Sequence, residues 1–477
     1  MNSKKVIVNF AWKFMERTGT QVANLFIQMI LARILVPEDF AAVAIIMVFI
    51  AIANIFVQSG LGTALIQCKD VTDEDYSTVF YTSLAISVLM VIIVFIAAPF
   101  IAEFYNMPLL VKLIRWQSLI ILSGPFNTVQ QAVLSREMKF KNNFFACIIG
   151  CVISGIVSII CAFNGFGIWS IIILNILNNV LYSIVLWLLV DWRPKLMFSF
   201  NSMKRMFSFG WKLLAANLVG TVYDNLRTLI IGKVYPTNLL AYYNRGDVVS
   251  SSLMNGITGS ISAVMLPVLS QRQDCAEEIK EMLKKTFQIN CFICVPMMFG
   301  LAAVGEDLII VLFSNVWKPA GFFLSIICLG YALYPMHSAN LQAIYAVGRS
   351  DIVLKLEVIK RVVGFLLIMA SIPFGIYAMT FSIVVMSVLS TVINAIPNKN
   401  LLNYGLFEQI KDIWIYFFMS GLMAICVILF RMILSYNVII NLLLEIVVGI
   451  FIYLVFSLIF KPYAFKYVLG MIKKHTK

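Results

Sequence analysis

The chain has 477 residues, 61% of them hydrophobic, with 36 Lys+Arg against 23 Asp+Glu, a net charge of +13 and a mean hydropathy of +0.94. Soluble globular chains run about 45–50% apolar and about 25% charged, so a charged fraction of 12% excludes an ordinary soluble enzyme, and the apolar surplus excludes disordered and collagen-like chains. Runs such as Val91–Ala98, Ile171–Leu177 and Asn441–Phe460 do not alternate as barrel strands would, and the chain reads as an all-α polytopic membrane protein.

At the N-terminus Lys4 and Lys5 are followed by Lys13, Glu16 and Arg17. Those charges interrupt any apolar core of a cleaved signal peptide, so the first span is expected to remain. A span needs roughly 20 mostly apolar residues. With turn residues and charges as boundaries, fourteen segments result: 9–34, 40–64, 78–99, 111–134, 144–163, 167–190, 207–234, 239–268, 286–304, 320–345, 353–372, 375–395, 413–433 and 438–460. With both termini cytoplasmic, 25 of the 36 basic residues fall inside, seven fall outside, and Lys13, Arg17, Lys212 and Arg227 lie within spans. Lys and Arg accumulate on the cytoplasmic side, so this split supports an even number of spans. It also assigns the positive charge to membrane topology rather than to nucleic acid.

On the first span Lys13, Arg17, Gln21, Asn24 and Gln28 fall within about 80° at 100° per residue. Such a stripe faces protein or water, not lipid. It reads either as a packing face with Lys13 and Arg17 reaching the cytoplasmic surface, or as the wall of a cationic cavity that binds an anionic cargo. On the seventh span Asn217, Thr221, Asp224 and Thr228 share a face, with Arg227 beside it and Lys212 nearer the helix start, and Lys212 and Arg227 join Lys13, Arg17, Asn24 and Gln28 as candidate residues of the cationic cavity. Asp224 is the candidate for a coupling-ion site, with Asn217, Thr221 and Thr228 as neutral oxygen donors; an ion pair with Arg227 is the alternative. Gln58, Asn127, Gln130 and Gln131, and later Asn340 and Gln342, are further polar groups that could line the two halves or bond between helices. His337 reads as a hydrogen-bonded core residue, Cys291 and Cys294 as small buried residues, and 274–287 as an amphipathic helix lying on the cytoplasmic surface. Arg431 and Glu445 are expected to pair near the outer face.

Internal repetition is visible. Phe10-Ala-Trp12-Lys13 recurs as Phe209-Gly-Trp211-Lys212, Pro37 as Pro236 and Gly60 as Gly259, all at an offset of 199. Phe166-Gly-Ile-Trp169 recurs as Phe374-Gly-Ile-Tyr377 at an offset of 208. The expected organisation is therefore two parallel six-helix lobes, 1–200 and 201–400, with two more helices and a cytoplasmic tail in 401–477. There is no P-loop, no HExxH, no acidic metal cluster and no Ser/His/Asp arrangement. No catalytic residue, cofactor or metal is predicted, and the chain is expected not to be an enzyme.

Several segments carry a family resemblance: Ala32-Arg-Ile-Leu-Val-Pro37-Glu-Asp-Phe40, Gln58-Ser-Gly-Leu-Gly-Thr-Ala-Leu-Ile-Gln67, Ser135-Arg-Glu-Met-Lys-Phe-Lys141, Gly165-Phe-Gly-Ile-Trp169, Leu266-Pro-Val-Leu-Ser270 and Leu312-Phe-Ser-Asn-Val-Trp317. The chain resembles the polysaccharide-transport branch of the multidrug/oligosaccharidyl-lipid/polysaccharide exporter superfamily, most of all the colanic-acid and teichuronic-acid type exporters. Val36 and Ala41 stand where relatives commonly have glycine. The resemblance implies a flippase of the bacterial inner membrane that moves an undecaprenyl-diphosphate-linked oligosaccharide by alternating access. Its partners would be the lipid-linked cargo, membrane lipids and a polymerase or glycosyltransferase of the same pathway; transport is either passive or coupled to an H+ or Na+ gradient, and no cofactor is expected. A cationic cavity suits a diphosphate, because charge acts strongly where solvation is poor. A cation-coupled multidrug exporter of the same superfamily and a membrane-embedded polymerase or acyltransferase are the alternatives.

Overall fold

Backbone polar groups in hydrocarbon must be satisfied within the protein, which leaves helices and closed barrels as spanning structures. A computed structural model of the chain describes residues 3–58, 60–270, 276–433, 436–467 and 470, and the described residues are helical with no strand among them. The helices are α1 (Ser3–Ile34), α2 (Pro37–Gln58), α3 (Leu61–Gln67), α4 (Asp73–Phe104), α5 (Leu110–Gln117), α6 (Ser123–Arg136), α7 (Phe140–Phe163), α8 (Trp169–Leu189) and α9 (Phe200–Val234). They continue as α10 (Thr237–Ser270), α11 (Ala276–Ala303), α12 (Gly305–Phe313), α13 (Ala320–Tyr331), α14 (Tyr334–Ala346), α15 (Ser350–Ser371), α16 (Gly375–Leu402), α17 (Leu406–Arg431) and α18 (Val438–Phe460). Among the described residues, nine stretches are long and apolar enough to cross a membrane, and one of these, Ser350–Leu402 with 53 residues, contains both α15 and α16.

The fourteen expected segments all fall on helix, but several are not single rods. The second is interrupted where Gly60, at φ 66°, precedes α3; Ser59 lies outside the described residues. The fourth is split into α5 and α6 by a 3-10 turn over Ser118–Leu122, and the tenth divides into α13 and α14. The short α12 was not anticipated. The amphipathic stretch 274–287 differs most from expectation. Asp274 and Cys275 lie outside the described residues, and from Ala276 the chain runs without a break through α11. Ile279, Leu283 and Phe287 are fully buried against Tyr404, Ile413 and Tyr416, while Lys284 meets Asp412 at 2.8 Å. The apolar face of this stretch therefore seats on protein rather than on the membrane surface, as spacing at i, i+4 and i+8 also allows.

The chain divides by packing into two compact units, Met1–Ala241 and Tyr242–Lys477. In the first, α1 packs on α7, α7 on α8, and α9 on α2, α3 and α4. The start of α4 is built by a capping box between Thr72 and Asp75. Asp75 is buried and also takes a 2.5 Å bond from the Arg205 guanidinium, which fastens α4 to α9. Arg136 at the end of α6 donates to the carbonyls of Leu65, Cys68 and Lys69 at 2.8, 2.5 and 3.1 Å. A guanidinium there satisfies the orphan carbonyls at the end of α3 and complements its dipole. Two of the segments that carried the resemblance, 58–67 and 135–141, are thus tied to each other.

In the second unit α11 packs against α17, α13 against α16, and α17 against α18. Asn340 on α14, Asn398 on α16 and Gln409 on α17 form a fully buried amide clasp, with bonds of 2.6 Å from Asn398 to Asn340 and of 3.0 and 3.1 Å between Asn340 and Gln409. His337 bonds the Ser387 carbonyl and Thr391 Oγ1, both at 2.9 Å. Asn340 and His337 therefore act as interhelical bonds, as buried polar groups in a membrane protein must. Cys291 and Cys294 are fully buried.

Candidate functional site

The first unit contains a half-open cavity of about 360 Å³. Its walls come from α2 with Asn54 and Gln58, from the interruption at Gly60, from α3 with Thr63, from α6 with Ser123, Asn127, Thr128, Gln131 and Ser135, from α8 with Asn179 and Tyr182, and from α9 with Asn217. Glycines allow these helices to approach. A Cβ on Gly60 would come within 2.7 Å of the Gly210 carbonyl oxygen on α9, and one on Gly124 within 2.7 Å of Val57 on α2.

The polar side chains are held by one another. Gln131 Nε2 donates to Tyr182 Oη at 2.8 Å, and Tyr182 Oη donates to Asn143 Oδ1 at 2.8 Å. Ser183 Oγ donates to Asn127 Oδ1 at 2.7 Å. Behind this wall lies an aromatic layer in which Phe126 meets Phe80 at 5.5 Å and Trp187 at 5.4 Å, with the Trp187 Nε1 donating to the Phe126 carbonyl. Among the described residues, none that lines it is charged. Amides and hydroxyls offer both donors and acceptors, so the surface suits a neutral, hydroxyl-rich ligand.

Of the amides singled out in the sequence, Gln58, Asn127 and Gln131 line this cavity. Gln130 is buried and turns away, donating to the Trp192 carbonyl at 3.1 Å. Asn54, Ser123, Asn179 and Tyr182 were missed. The i, i+4 pairing of Asn54 with Gln58 on an otherwise apolar helix was the available signal for the first of these.

The stripe of α1 lies elsewhere. Lys13 is exposed and pairs with Glu16 at 2.7 Å, with its ammonium 5.7 Å from the Phe140 ring. Arg17 and Asn24 are exposed, Gln28 is half-buried, and Asn24 Oδ1 accepts from the Cys151 thiol of α7 at 3.4 Å. One Glu16 oxygen takes the Lys13 bond and the other is buried with no hydrogen-bond donor. On α9, Lys212 and Asp224 are exposed, Thr221, Arg227 and Thr228 are half-buried, and Asn217 alone of the expected residues reaches the cavity.

A family model described as polysaccharide biosynthesis protein matches residues 30–321. The succinoglycan biosynthesis transport protein ExoT of Rhizobium meliloti (strain 1021) is 24% identical over 362 residues, 76% of this chain and 73% of that protein. The lipopolysaccharide biosynthesis protein WzxC of Escherichia coli (strain K12) is 24% identical over 402 residues, 82% of this chain and 80% of that protein. Among solved structures, the lipid II flippase MurJ in an inward closed conformation superposes with a TM-score of 0.76 at 18% identity, over 95% of this chain and 98% of that one. The chain belongs to the polysaccharide biosynthesis protein family.

Proposed function

We propose that this chain flips an undecaprenyl-diphosphate-linked oligosaccharide, the repeat unit of an exopolysaccharide, O-antigen or capsule, from the cytoplasmic to the outer leaflet of a bacterial inner membrane. It would have fourteen spans and cytoplasmic termini, with lobes 1–200 and 201–400 alternating in access. The observation that carries this reading is the cavity of amides and hydroxyls in the first unit. Uncharged donors and acceptors can exchange water for sugar hydroxyls. A multidrug exporter needs an apolar or anionic surface for its cationic cargo, and among the described lining residues Tyr182 is the one aromatic side chain. Arg17 and Arg227 supply cationic groups for the diphosphate, while Lys13 pairs with Glu16. The lipid tail can stay in the bilayer.

Complementation of a deletion strain tests this. Asn127→Leu should impair export by removing hydrogen bonds to the sugar, and Arg17→Ala and Arg227→Ala by removing charge opposite the diphosphate. All three should leave protein levels and membrane insertion near normal, and Lys should replace Arg better than Ala does, though not fully, since it cannot fork two oxygens. If all three variants export as well as the parent, the reading is wrong.

A further inference from the structure

The second unit holds a buried charge cluster that the flippase reading does not use. Glu445 lies two turns into α18 and is fully buried, and Asp307 in the first turn of α12 is nearly so. Arg431 at the end of α17 donates to Asp307 Oδ1 at 2.9 Å, lies 3.3 Å from Glu306 Oε2, and brings its Nε to within 3.9 Å of Glu445 Oε1. Lys318 meets Glu306 at 2.8 Å. The expected Arg431–Glu445 association is therefore present, but as part of a larger set of three carboxyls and two cations.

Among the described residues no donor stands within hydrogen-bond distance of either Glu445 oxygen, and the nearest cation, Arg431, is shared with Asp307, which takes its shorter contact. An ionised carboxylate needs donors, and one buried without them is costly, which favours its protonated form. Among the described residues, the remaining surroundings of Glu445 offer no charge: it lines a cavity of about 420 Å³ with Pro296, Gly300, Val304, Val427 and Ile450, and Tyr453 spends its hydroxyl on the Phe292 carbonyl at 3.0 Å. Like charges this close in an apolar wall disfavour double ionisation. One proton also brings the three carboxyls and two cations to neutrality.

We propose that Asp307 and Glu445 form a binding site for a single proton, which seats α18 on α12 and is distinct from the coupling site expected at Asp224. Its groups are all named above: Glu306 and Asp307 on α12, Lys318 beyond it, Arg431 on α17 and Glu445 on α18, while the segment of α11 against the cavity presents apolar side chains. Two carboxyls sharing a proton titrate as a pair, so the site has one apparent affinity rather than two residue values.

Infrared spectroscopy of the full chain in lipid nanodiscs reads the protonated carboxyl stretch directly. The parent should show this band at neutral pH and lose it on alkaline titration, and both Glu445→Gln and Asp307→Asn should lack it. An amide fills the space of a protonated acid, so Glu445→Gln should fold and its thermal unfolding should lose the alkaline sensitivity of the parent. Absence of the band from the parent at neutral pH, its persistence in both variants, or failure of Glu445→Gln to fold while Glu445→Asp folds would each overturn the proposal.

Discussion

Gly60 offers the sharpest separation of two physical effects. Its φ of 66° places it in the left-handed region, where an L side chain costs roughly 1–2 kcal/mol. A methyl there would also stand 2.7 Å from the Gly210 carbonyl oxygen and 3.0 Å from its Cα. Those are backbone atoms, so α9 itself would have to shift, and overpacking of that kind costs roughly 1–3 kcal/mol. Gly60→Ala should therefore destabilise the first unit by about 2–5 kcal/mol. Gly165 is the control. It has φ 80°, and a methyl added to it would meet no atom within 4 Å, so Gly165→Ala should cost only the conformational part, about 1–2 kcal/mol. Denaturant unfolding of the two purified variants beside the parent, in one detergent, measures the difference. Equal destabilisation by both substitutions would refute the close crossing of α9 over the break between α2 and α3. Because Gly60 also borders the polar cavity, its variant should lose export beyond what protein level explains.

Two further outcomes follow from charge. Burial alone would raise the Glu306 carboxyl, but hydrogen bonds and charge from Lys318 and Arg431 outweigh it and hold the group below its ordinary value of 4.5. A depressed folded value stabilises above the unfolded one and is lost as pH falls through the folded one, so thermal stability of the parent should drop in acid below 4.5, and a Glu306→Gln variant that is less stable at neutral pH should show a shallower drop; identical acid profiles would refute this. If Asp224 binds the coupling cation, Asp224→Asn should abolish gradient-dependent transport in proteoliposomes while leaving substrate binding intact. Rescue by also neutralising Arg227, with gradient dependence preserved, would remove Asp224 from that role.

Helix positions were legible because they depend on local composition: apolar runs separated by Pro37, Gly165 and charged turns have few other ways to satisfy their backbone in lipid. The amides of the site were legible one at a time, since Gln58, Asn127 and Gln131 are conspicuous on apolar helices. Their convergence was not. Whether an amide meets a cavity or a neighbouring carbonyl depends on how closely two helices cross, and neighbours on α6 differ in this: Gln131 reaches Tyr182 in the cavity while Gln130 spends its amide on Trp192. The same limit applied to the amphipathic stretch before Phe287, whose periodicity is equally suited to a lipid surface and to the buried seat it takes against Tyr404 and Tyr416. It applied to Glu445 as well. Sequence alone identified a carboxyl in an apolar span, but only tertiary packing set it at the same Arg431 as Asp307 and left both its oxygens without a donor, because a contact between distant segments is set by the packing of whole helices and not by the residues on either side of it.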